Sequence, residues 1–94
     1  MVVALKEVPV GGSVSAQLKG KPIIVSRPAE GRAVAFTAIC THQGCTVKPA
    51  DAKLLCPCHG SIFDALTGKN LSGPAPKPLA AIPVTVSAGN VIAT

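Results

Sequence analysis

The 94-residue chain has no tryptophan and no tyrosine, and only two aromatic residues, Phe36 and Phe63. Large rings commonly anchor a small core, and here they are nearly absent. A chain of this length also has a high surface-to-volume ratio, so a covalent or metal staple is expected. Acidic residues are scarce: four Asp and Glu against nine Lys and Arg give a net charge of +5. No two basic residues are adjacent, and with only two aromatic residues there is no basic cluster interleaved with aromatics. A nucleic-acid surface is therefore not expected. The charge reads as a solvated basic surface with mild steering toward an acidic partner.

Long hydrophobic runs are missing too. The longest stretch without charge, proline or glycine is "AVAFTAICTHQ", residues 33–43. That is far short of the roughly 20 apolar residues a membrane helix needs. The start shows no basic-then-apolar leader pattern. The chain is expected to be soluble as it stands, with any membrane association made through a segment or complex outside it. No window sustains a helical period over ten residues, and there is no internal repeat or interdomain linker. One domain is expected.

What remains reads as β. Short apolar or alternating segments occur at "SVSAQL" (13–18), "PIIVS" (22–26), "AVAFTAI" (33–39), "PVTVS" (83–87) and "VIA" (91–93). Gly and Pro punctuate them. "SAGN" (87–90) reads as a hairpin turn and "RPAEGR" (27–32) as a second turn between strands. The pattern predicts an all-β antiparallel sandwich or barrel. Between about 40 and 78 the chain is loop-rich and dense in proline, and such an insert in a small β domain is more often functional than structural.

That insert holds all four cysteines and both histidines, in "ICTHQGC" (39–45) and "CPCHGS" (56–61). Cysteine arithmetic leaves three readings open. Two disulfides would leave the histidines unexplained. Zinc would use four of the six residues, but the paired C-x2-C spacing usual for zinc is missing. An iron–sulfur cluster would use four and leave two cysteines to pair.

The motifs "C-T-H-Q-G-C" and "C-P-C-H-G-S", ten residues apart, resemble the Rieske iron–sulfur family, and "GPAPKP" (73–78) is similar to that family's proline loop. The resemblance implies a 2Fe-2S cluster with Cys40 and Cys56 on one iron and His42 and His59 on the other. It implies a Cys45–Cys58 disulfide, as in high-potential members of quinol-oxidising cytochrome complexes. Gly44 and Gly60 would let the backbone turn tightly, and Gly73, Pro74, Ala75 and Pro76 would cover one side. Ser61 resembles a hydroxyl donor to a cluster sulfide; its plainer role is a turn serine. Phe63 stands where high-potential members often carry a tyrosine, so that donor is lost and Phe63 reads as core. Gln43 and Leu66 are expected near the cluster tip, Asp64 as a turn or cap residue, and Lys77 as solvated.

The implied architecture is a base, 1–38 and 79–94, carrying a cluster-binding subdomain at about 39–78. The implied function is one-electron transfer. Two thiolates leave the oxidised centre near neutral, whereas four would make it more negative; two histidines therefore raise the potential, to roughly −150 to +300 mV. Closing the cluster loops with a disulfide is worth on the order of 3 kcal/mol. The partners are redox proteins or quinol, and a structural disulfide places the chain on an extracytoplasmic or periplasmic face. The alternative is a cytoplasmic ferredoxin supplying an oxygenase. A colourless structural zinc module is the remote third reading.

Overall fold

The computed structural model describes residues 2–39, 45–50, 53–57, 60–72 and 79–93. Eleven strands lie in three antiparallel sheets, with a single 3-10 turn at Leu5–Glu7 and no α-helix among the described residues.

The middle sheet is built by β2 (Ser13–Leu18), β3 (Lys21–Ala29), β4 (Arg32–Thr37) and β9 (Ala81–Ile82), in the order β2-β3-β4-β9. Its centre is the apolar run Ile23–Val25, and all three residues are buried. A strand buried on both faces needs no polar alternation, which is why this run is continuous. Ile23, Val25 and Ala35 look one way, into a core shared with Leu5, Val8 and Val91. Ile24, Phe36 and Ala38 belong to a second core, with Val47, Leu54, Cys56, Phe63, Ala65 and Leu79.

The first core is closed by a sheet drawn from both ends of the chain. β1 (Val3–Ala4), β11 (Asn90–Ala93) and β10 (Val84–Ser87) pair in the order β1-β11-β10. Arg27 fastens the segment after β1: its Nη1 donates to the Val8 carbonyl at 3.1 Å and its Nε to the Glu30 carbonyl at 2.9 Å. Two tight hairpins set the registers. Lys19 and Gly20 join β2 to β3 with φ of 53° and 80°, and Ala88 and Gly89 join β10 to β11 with φ of 51° and 77°. Two successive positive φ values define the primed turn that suits twisted antiparallel strands. The expected turn at 87–90 is found, and the one at 27–32 narrows to Glu30–Gly31 between β3 and β4.

The insert holds more regular structure than its prolines suggest. β5 (Lys48–Ala50), β6 (Lys53–Leu55), β7 (Ile62–Asp64) and β8 (Asn70–Ser72) form a four-stranded sheet in sequence order. Pro49 lies on the edge strand β5, where a missing N–H is tolerated. Leu54 pairs with Phe63 across β6 and β7, and both are completely buried. Each contributes roughly 1.5–3 kcal/mol of transfer free energy. Phe63 is thus a core residue, as expected.

Candidate metal centre

Three backbone devices fix the ends of the motif loops. The first loop leaves β4 and returns to β5 through a neck. Ile39 bridges Thr46, and the Val47 N–H donates to the Ala38 carbonyl at 2.7 Å. Ala38 is itself tied to β3, its N–H donating to the Pro22 carbonyl at 3.1 Å. The neck therefore hangs on the start of β3, next to the buried run Ile23–Val25.

The second loop closes on itself between β6 and β7. The Cys56 N–H donates to the Ser61 carbonyl at 2.8 Å, and the Gly60 N–H donates to the Cys56 carbonyl at 3.1 Å. Gly60 has φ of 75°, and a Cβ there would meet nothing within 4 Å. The requirement for glycine is thus conformational rather than steric.

The third device joins the insert to the base. Asp64 Oδ1 accepts hydrogen bonds from the N–H groups of Leu66 at 2.7 Å and Thr67 at 3.2 Å, forming a side-chain turn. Asp64 is thus the turn residue expected. Gly68 ends that turn with φ of 76°, its N–H donating to the Asp64 carbonyl at 2.8 Å. A Cβ at Gly68 would lie 2.8 Å from Phe36 Cε1 and 3.1 Å from the Leu79 carbonyl oxygen. The Gly68 carbonyl in turn accepts the Leu79 N–H at 2.9 Å. Leu79 is the first described residue after the proline-rich segment, so Gly68 anchors the point where that segment rejoins the base.

Several expected site residues can be placed. Cys56 is 2% exposed, and Ser61 is fully buried. Cys45 is half-buried and packs on the same apolar cluster as Cys56 and Phe63. Residues of both motifs therefore meet over one core. Cys40, His42, Gly44, Cys58 and His59, together with Gly73, Pro74, Ala75 and Pro76, lie outside the described residues, as do Gln43 and Lys77. Leu66 is half-buried but lines a shallow hollow with Val34, Phe36 and Ile82, and so sits against the base sheet. Gly68 and its contact Phe36 were not singled out as site residues from the sequence. The available signal was an Asp followed four positions later by Gly, which marks a turn but not its packing partner.

This arrangement fits an iron–sulfur group. A thiolate ligand benefits from exclusion of water, and Cys56 is buried beside apolar side chains. The loop carrying it is turned tightly at a glycine, with open space beyond. Two sulfur and two imidazole donors remain in the motifs once a further cysteine pair is set aside, which is a donor set for iron–sulfur chemistry.

Comparison with known proteins agrees. The family model described as the Rieske [2Fe-2S] domain matches residues 1–83. The cytochrome b6-f complex iron-sulfur subunit of Synechococcus elongatus is 40% identical over 86 residues, covering 87% of this chain and 47% of that subunit. The chain thus spans about half the length of the curated relatives it matches. Among solved structures, the plasma membrane Rieske protein PetC3 from Synechocystis PCC 6803 superposes with a TM-score of 0.85 and 31% identity, covering 99% of this chain and 96% of the other. Sphingomonas yanoikuyae B1 ferredoxin superposes with a TM-score of 0.74 and 26% identity, covering 98% and 93%.

Proposed function

The chain belongs to the Rieske [2Fe-2S] family, and from that premise we propose that it is the redox head of a quinol-oxidising or other extracytoplasmic oxidoreductase. One-electron transfer through a 2Fe-2S cluster follows from the family itself. The observation that carries the finer reading is the 40% identity to a cytochrome b6-f complex iron-sulfur subunit across most of the chain. The greater likeness to PetC3 than to the ferredoxin supports it over the oxygenase-supplying alternative.

When bound, the cluster supplies a single site that accepts and releases one electron at a raised potential. In our assignment Cys40 and Cys56 hold it as thiolates and His42 and His59 as neutral imidazoles. Cys45 and Cys58 clamp the two motif loops together; support comes from Cys45, which is half-buried against the same apolar cluster as Cys56 of the second motif. A disulfide in turn supports an oxidising, extracytoplasmic compartment. Gly44 and Gly60 turn the loops, and Gly73, Pro74, Ala75 and Pro76 cover one side. Ser61 donates its hydroxyl toward a cluster sulfide, and its complete burial makes such a bond strong. Phe63 offers packing without a hydroxyl. The base is 1–38 and 79–94, and the cluster-binding subdomain about 39–78. Physiological partners are a quinol or redox proteins, and any membrane association would be made through a segment or complex outside this chain.

The test is the midpoint potential of the cluster-loaded protein by voltammetry. A value above zero is expected. A clearly negative value, with Cys45 and Cys58 both alkylated in air-purified protein, would transfer the chain to the oxygenase-ferredoxin class.

A further inference from the structure

The four-stranded sheet has one face in the core, marked by Leu54 and Phe63, and its other face carries side chains that the fold does not use. The register places Lys48 opposite Leu55, and Leu55 opposite Ile62, in one row across β5, β6 and β7. Lys53 precedes Leu55 by two residues and so shares its face. Lys48 and Lys53 are exposed, and Ile62 is half-buried. Leu55 is 40% exposed. On β8 a register shift leaves Leu71 without a Cα partner on β7, and Leu71 is 45% exposed. Asp64 stands opposite Lys53, but its Oδ1 is engaged by the N–H groups of Leu66 and Thr67. The result is an aliphatic strip with ammonium groups beside it, and Leu55 directly precedes Cys56.

Resting on the electron-transfer reading above, we propose that this outer face of β5–β8 is the docking surface for an acidic protein redox partner. Carboxylates of the partner meet Lys48 and Lys53, and an apolar patch covers Leu55, Ile62 and Leu71. Charge selects the partner: the chain carries +5, so a basic protein is repelled and an acidic one steered in. The apolar strip then supplies short-range contact, the usual division between the rim and centre of an interface. An anionic lipid surface would also meet the lysines. The chain has no Trp or Tyr with which to sit at such a surface, and a pleated strip of branched aliphatic side chains suits a protein face better.

The test uses the full cluster-loaded chain and succinylated cytochrome c, an acidic protein, as the probe. Affinity is measured by calorimetry at low ionic strength. The pair Lys48→Glu/Lys53→Glu should weaken Kd by about tenfold or more. The pair Lys6→Glu/Arg32→Glu makes the same charge change on exposed residues of the base, Arg32 at the end of β4 remote from Ile39. It should weaken Kd by less than about threefold. Leu55→Ser should weaken Kd by about threefold without altering its salt dependence. Equal weakening by the two charge-reversal pairs would reduce the effect to net charge and overturn the surface. So would tighter binding of native, basic cytochrome c. Binding of phosphatidylserine vesicles that is lost in Lys48→Glu/Lys53→Glu, with cytochrome affinity unchanged, would replace the protein partner by lipid. Localised binding without electron transfer to the probe would leave the surface standing and refute the redox reading; fast transfer without localised binding would do the reverse.

Discussion

Replacing Gly68 by alanine should be among the most damaging single-methyl additions in this chain, and two other glycines separate the causes. At Gly31 an added Cβ meets nothing within 4 Å, and φ is not in the left-handed region. Gly31→Ala should change stability by less than about 0.5 kcal/mol. At Gly20 space is again open, but φ is 80°. Gly20→Ala should cost the left-handed penalty alone, roughly 1–2 kcal/mol. At Gly68 φ is 76°, and the new carbon would lie 2.8 and 2.9 Å from two ring carbons of Phe36. Phe36 is 4% exposed within the core, so its ring cannot swing aside. Overpacking adds roughly 1–3 kcal/mol, for a total of about 2–5 kcal/mol. At this chain length each kcal/mol moves Tm by about 4–8 °C. Gly68→Ala should therefore lower Tm by about 10 °C or more, measured by circular dichroism on the cluster-loaded protein. A loss no larger than that of Gly20→Ala would show that the Phe36 contact is unimportant and that the insert is not locked to the base at this point.

Three further substitutions test other parts of the account. Ala88 holds φ of 51° in the β10–β11 turn, so Ala88→Gly should raise stability by about 1 kcal/mol in denaturant titration; a loss would mean that Ala88 makes a contact the turn geometry does not explain. Ser26 is fully buried and its hydroxyl has no hydrogen-bond partner among the described residues, so Ser26→Ala should stabilise by about 1 kcal/mol in the same assay, and destabilisation would point to a buried water. Ser61→Ala should lower the midpoint potential by about 40 mV, the one-electron equivalent of about 1 kcal/mol of hydrogen bonding lost from the reduced state; an unchanged potential would return Ser61 to a turn serine.

The parts of the fold legible in the sequence are those where one short segment carries its own signal. "PIIVS" is apolar throughout because β3 is buried on both faces, and "SAGN" supplies a glycine at a position with positive φ. The sheet of β5–β8 was not legible as strands. Its strands are three residues long, Leu54 and Phe63 are the fully buried side chains at the centres of β6 and β7, and Pro49 disguises the edge. Pairing with neighbours, rather than local alternation, makes these residues strands. The candidate site was legible because cysteine and histidine at fixed spacing are rare and chemically specific. Gly68 was not, because its need for glycine arises from the ring of Phe36, which lies on another sheet and far away in sequence.

Pulsed EPR of the dithionite-reduced protein, grown with 15N-histidine, tests the central claim most directly. The chain contains two histidines, His42 and His59, so any strongly coupled histidine nitrogen must come from them. The account predicts two such couplings on a reduced 2Fe-2S signal, with two irons per chain. A 2Fe-2S signal without strongly coupled nitrogen would contradict the two-histidine ligation, and a colourless protein with no EPR signal would contradict the iron–sulfur assignment itself.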